Sequence, residues 1–173
     1  MKFFLVGILS IPLLLPNQVS LASQPFTCPN KLQPLVDKML KDLPSYANRV
    51  IQRSGNSYSK SSFKFYILVA GAADYRPLPL KVQQYDDAQP DSLIQQVFFT
   101  TLERHYDRQT IKDSQNYHWL FLTFSQGEWK MIMIYTQIGS TPAQENSQGI
   151  VGQAISLWLR DCQAGALKMT KVD

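Results

Sequence analysis

The run from Tyr117 to Gln137, YHWLFLTFSQGEWKMIMIYTQ, limits the possible folds of this chain more than any other stretch. Two apolar, aromatic-rich segments meet at Ser125-Gln126-Gly127-Glu128. This is the strongest hairpin signal present, since a two-residue turn ending in Gly tolerates the positive φ angles that match strand twist. With Gln126-Gly127 as the turn, Phe124 stands opposite Trp129, Leu122 opposite Met131, Leu120 opposite Met133 and His118 opposite Tyr135. Tyr117, Trp119, Phe121, Ile132 and Ile134 then share the other face. A half-buried hairpin normally shows one polar face, and this one shows none. It is expected at the centre of the fold, covered on both sides.

Two helical stripes are the candidate covers. Leu32, Leu35, Val36, Met39, Leu40, Leu43, Ala47, Val50 and Ile51 keep an i, i+3, i+4 spacing. Pro44 lies inside that pattern, and its missing N–H and ring clash predict one kinked helix or two abutting ones. Ser54-Gly55-Asn56 is the expected stop, with Gly55 at C′. Ile150, Val151, Ala154, Leu157, Trp158 and Cys162 form the second stripe, with Ser147 a candidate cap and Gly165 the stop. Leu167 to Asp173 reads as a loose tail.

Between the stripes, Phe63 to Ala70 has β-branched and aromatic composition and reads as a strand. Tyr75-Arg76-Pro77-Leu78-Pro79-Leu80 reads as extended, polyproline-like chain, and Lys81 to Pro90 as a polar loop. Asp91 to Tyr106 is ambiguous between strand and helix. Val97-Phe98-Phe99-Thr100-Thr101 decides for a strand over about Ile94 to Arg104. Asp107 to Asn116 reads as a polar connector and Gly139 to Gln148 as a loop. The order helix, strand, strand, hairpin, helix predicts an α+β domain, a four-stranded antiparallel sheet with an N-terminal kinked helix and a C-terminal helix. That order also suits cystatin-like or NTF2-like architectures, by analogy of fold alone.

The ends of the chain speak to compartment. Lys2, the apolar run Phe3 to Leu15 and the small residues of Ser20-Leu21-Ala22 make a secretory signal, so residues 1–22 are expected to be removed and 23–173 to form one domain. The apolar run is about half of the ~20 residues that span a bilayer, which argues against an integral membrane protein after cleavage. Among 173 residues there are two cysteines, Cys28 and Cys162. Neither has a second thiol or a histidine nearby in sequence, so in an exported chain they are expected to pair. Chain-entropy theory assigns ~5 kcal/mol to closing a loop that long. The net charge of +4 comes from scattered residues, which argues against nucleic acid as a partner.

Three passages together, QVFFTTLERHY (Gln96 to Tyr106), YHWLFLT (Tyr117 to Thr123) and GQAISLWLRDCQAG (Gly152 to Gly165), resemble a family of small, uncharacterised exported proteins of cyanobacteria. The resemblance covers about the second half of the mature chain. It implies the periplasm or the thylakoid lumen, and it transfers no catalytic residue.

Chemistry-bearing residues are few. His105 and His118 lie on segments expected to be adjacent strands, and Glu103 shares a face with His105 if that segment is extended. A His-His-Glu set could serve acid–base or zinc chemistry, but no tight ligand spacing such as HExxH accompanies it. No GxSxG elbow and no phosphate loop is present. Arg104 and Arg160 read as members of local charge pairs, Glu103-Arg104 and Arg160-Asp161, with an anion site as the alternative. The aromatic surplus around Trp119 and Phe121 reads as core, or as the wall of an apolar cleft if one sheet face is partly covered. The sequence favours an exported, non-enzymatic binding or accessory domain for an unknown protein or small apolar ligand, extracellular, periplasmic or lumenal, without metal or cofactor. The competing reading is a small hydrolase or metal-dependent enzyme using His105 or His118 with Glu103.

Overall fold

A computed structural model describes residues 26–58, 64–79, 93–106 and 110–167. The expected signal segment 1–22, the polar loop 81–90 and the tail from residue 168 lie outside the described residues. The order is α1 (Leu32–Tyr58), β1 (Lys64–Val69), β2 (Ile94–Tyr106), β3 (Ile111–Ser125), β4 (Glu128–Ile138), β5 (Gln144–Glu145) and α2 (Ile150–Gln163). The strands form one antiparallel sheet in sequence order, β1-β2-β3-β4-β5. The fold is α+β, and the fifth strand is a two-residue addition from the segment read as a loop.

The ambiguous segment is a strand. Three boundaries differ from expectation. Helix α1 is continuous past Pro44 and runs through Gly55 to Tyr58, so Gly55 does not end it. Strand β3 begins at Ile111, six residues before the apolar run, because Ile111 and the polar residues 112–116 pair with the far half of β2. That extension lies at the end of the sheet, where period-2 burial gives no sequence signal. Leu167 is buried in the core rather than part of a loose tail.

The hairpin turns at Gln126-Gly127, both with positive φ (56° and 82°), as a type I′ geometry requires. Phe124 faces Trp129 and Leu122 faces Met131, but Leu120 faces Ile134 and His118 faces Thr136. A β-bulge causes the change: Phe121 pairs with Met133, so Ile132 has no partner across the ladder. One extra residue in β4 reverses the facing of everything after it. Ile134 therefore enters the core with no exposure, although the unbroken alternation places it beside Trp119.

Both helices lie on the same face of the sheet. Leu35, Met39 and Leu43 of α1 and Ala154, Ile155 and Trp158 of α2 join Ile67, Val97, Phe99, Leu120, Leu122 and Ile134 in one buried cluster. The expectation of one cover per face fails for a physical reason. The helices are fastened to each other: Trp158 Nε1 donates to Asp42 (2.9 Å) and the Tyr46 hydroxyl to Asp161 (2.9 Å). The Cys28–Cys162 disulfide ties the approach to α1 to the end of α2 across 134 residues, with Cα atoms 5.2 Å apart. Cys162 is fully buried beside Trp158, as the stripe predicts. Ser147 does not cap α2; the N-cap is Gly149, and the Ser147 hydroxyl accepts from Ile134 N. Gly165, at φ 65°, ends the helix as expected.

One irregular segment shapes the opposite face of the sheet. Gly71 takes a φ of 95°, letting the chain leave the edge of β2 after β1 and return at Asp74, which pairs with Phe98. Tyr75 then bonds Asp37 through its hydroxyl (3.0 Å), and the Leu78 carbonyl accepts from Gln96 Nε2 (3.0 Å). The Tyr75 bond ties the segment to α1 on the helix side, and the Gln96 bond brings Leu78 and Pro79 over the sheet face that the helices leave free.

Candidate functional site

The two histidines do not meet. Antiparallel pairing sets His118 opposite Phe99 and His105 opposite Lys112, six residues apart along β2. At the rise of a strand that is roughly 20 Å. His105 sits by Glu103 (Nε2 to Oε2, 3.4 Å) towards the end of the strand, both partly exposed. His118 is 1% exposed, stacked on Phe99 at 4.8 Å between ring centres. Its ring nitrogens bond the hydroxyls of Thr101 (Nε2, 2.8 Å) and Thr136 (Nδ1, 3.0 Å). Burial pulls its pKa down to about 3, so the ring is neutral and one nitrogen donates while the other accepts. The His-His-Glu set is thus split into a surface pair and a core residue. Among the described residues no three metal-ligating side chains gather.

The two arginines are separated as well. Arg104 makes a two-pronged pair with its cross-strand neighbour Asp113 (2.9 and 3.0 Å) on the face away from the helices. The guanidinium beside it holds the Asp113 carboxyl below its usual range. Arg160 pairs with Asp161 on α2, which packs on the opposite face.

What gathers instead is aromatic. On the face away from the helices Phe98 meets Trp119 edge-on at 5.1 Å and stacks near Tyr117 at 6.4 Å, while Phe121 meets Tyr135 at 6.3 Å. Trp119 is 8% exposed. It lines a cleft of about 580 Å³ together with Pro79, Gln137 and the turn after β4 (Ser140, Thr141, Pro142 and Ala143). That volume falls within the range of small-ligand sites.

The three tryptophans set this cleft apart. Trp129 Nε1 donates to the Pro29 carbonyl (2.9 Å) and Trp158 Nε1 to Asp42 (2.9 Å). Trp119 Nε1 is buried and has no acceptor; among the described residues it is the single side-chain polar atom so placed. A buried donor without a partner costs ~1–3 kcal/mol, and a buried indole N–H normally finds one. A slightly larger groove, about 620 Å³, opens where Val50 and Arg53 of α1 approach Met131, Gln153 and Leu157. Among the described residues it holds no buried polar atom in want of a partner, so the chemistry points to Trp119.

No family model, curated protein or solved structure matches this chain. The functional reading therefore rests on its own residues. Phe121, read as candidate lining with Trp119, is not among the described residues of the cleft, whereas Trp119 was legible from an aromatic surplus beyond what a half-buried strand carries. Pro79, Gln137 and Pro142 were not. Their segments read as extended chain, strand and loop, and no local pattern signals that they converge.

Proposed function

We propose that this chain is an exported, non-enzymatic binding domain whose ligand seat is the Trp119 cleft. The unpartnered Trp119 N–H carries the reading, since an acceptor supplied by a ligand would remove a standing penalty in the free protein. The Cys28–Cys162 disulfide and the signal-like residues 1–22 support an oxidising compartment outside the cytoplasm. The resemblance to exported cyanobacterial proteins points the same way.

The test is a titration of the ¹⁵N-labelled protein with N,N-dimethylacetamide, which brings a carbonyl acceptor and no donor. The indole cross-peak of Trp119 is expected to move, while those of Trp129 and Trp158 stay. Equal movement of all three, or of none, would overturn the reading. Export is tested separately by N-terminal sequencing of the natural protein, where a start near Ser23 is expected and an intact Met1 refutes it.

A further inference from the structure

We infer that the occupant of the cleft is a proline-rich peptide segment in the polyproline II conformation. The inference rests on the reading of the Trp119 cleft as a binding site and adds the class of ligand. Three observations carry it.

The first is charge. No Asp, Glu, Lys or Arg is among the described residues that line the cleft. An ionic ligand entering it would lose hydration with no counter-charge from these described residues in return. The occupant is uncharged where it enters.

The second is the balance of donors and acceptors. Gln137 commits one of its two amide N–H bonds to the Gly139 carbonyl (3.1 Å), and the Thr141 hydroxyl donates to the Ile138 carbonyl (2.8 Å). Trp119 offers a donor with nothing to receive it. A ligand that answers this donor brings an acceptor of its own. Proline-rich chain does so: each prolyl residue has a carbonyl and no N–H, and polyproline II makes no internal hydrogen bonds.

The third is a precedent within the fold. The chain's own Pro77-Leu78-Pro79 segment runs to the cleft, where Pro79 forms part of the wall. Its Leu78 carbonyl is held by a side-chain N–H from the sheet, that of Gln96. A visiting segment would repeat this arrangement one step further into the sheet, with the Trp119 N–H holding a carbonyl and its pyrrolidine rings against Pro79, Pro142 and Ala143. Preformed polyproline II loses little entropy on docking, which is why aromatic-lined grooves select it.

The experiment uses the full mature chain with its disulfide intact and ¹⁵N-labelled indoles. The probes are an acetylated, amidated decaproline and a Gly-Ser peptide of the same length. Decaproline is expected to shift the Trp119 cross-peak saturably and to bind at least about tenfold more tightly than the Gly-Ser peptide. Trp119→Phe keeps a ring but deletes the donor, and is expected to weaken decaproline by about tenfold with the Trp129 and Trp158 cross-peaks in place. Should that variant not fold, Ala143→Arg crowds the cleft from its lining and is expected to abolish the shift. Equal affinity for the two peptides, or decaproline binding indifferent to both substitutions, overturns the inference. If dimethylacetamide moves Trp119 and decaproline does not, the cleft stands and the peptide class falls; if neither moves it, both fall.

Discussion

The two faces of this sheet are built from neighbouring residues of the same strands, yet they have been given different work. On the helix face, Val97, Leu120, Leu122 and Ile134 are mainly aliphatic, and the polar groups that intrude are answered: His118 has two threonine hydroxyls, Trp158 has Asp42 and Trp129 has a backbone carbonyl. The opposite face is aromatic and mixed. Tyr66, Leu68 and Ile132 are more than 40% exposed there, while Trp119 is buried with its N–H unanswered. Apolar content alone therefore does not mark a core. Complete hydrogen bonding does, and the face that lacks it is the one that holds the Trp119 cleft.

The contrast between the faces is largest at Leu120. Leu120→Ala on the helix face should cost about 2–5 kcal/mol in urea unfolding, because a close-packed site leaves a cavity, whereas Ile132→Ala at the bulge should cost under about 0.5 kcal/mol. Similar losses at the two positions would mean the faces are packed alike. Next comes the disulfide, which fastens the helix pair to itself. Replacing Cys28 and Cys162 together by Ser should remove about 2–4 kcal/mol, and alkylation should find no free thiol in the natural protein before reduction and two after it.

A third effect belongs to the helix face alone. The folded His118 pKa of about 3 lies below the ordinary value of 6.5, so the unfolded chain takes up its proton first as pH falls. Stability from this residue is complete above pH 6.5 and declines as pH drops towards 3, by up to about 1.4 kcal/mol per unit. Unfolding at about pH 6.5 and about pH 5 should therefore differ by about 2 kcal/mol beyond the change in His118→Phe. A variant with the same pH slope as the parent would show that the imidazole is not buried neutral. The smallest effect separates two tryptophans. Trp158→Phe and Trp119→Phe remove the same atoms, but only the first abandons a hydrogen-bonded carboxylate, so it should cost about 1.5 kcal/mol more. Equal costs would imply that Trp119 has an acceptor in the free protein.

Much of this fold was legible from local pattern. The stripe from Leu32 to Ile51, the turn at Gln126-Gly127 and the strand over residues 94–104 each repeat a period set by backbone geometry. The pairing of Cys28 with Cys162 followed from there being two thiols and a secretory-type N-terminus. Phe121, grouped with Trp119, lies outside the described lining, and the site was legible only as Trp119. The rest of its lining depends on Gly71 steering the chain back to Phe98 and on the turn after β4, events whose partners lie far away in sequence.

Local sequence settles most of which residues share a face, because alternation and helical period are properties of the backbone over a few residues. Which face the helices cover was decided at the tertiary level. Two sets of apolar residues competed for them, and the choice fell to long-range packing between α1, α2 and the aliphatic side of the sheet. The bulge at Ile132 belongs to that level too; it moved Ile134 into the core and ended the alternation that had grouped it with Trp119. One residue of register, invisible to composition, separates the core of this protein from its cleft.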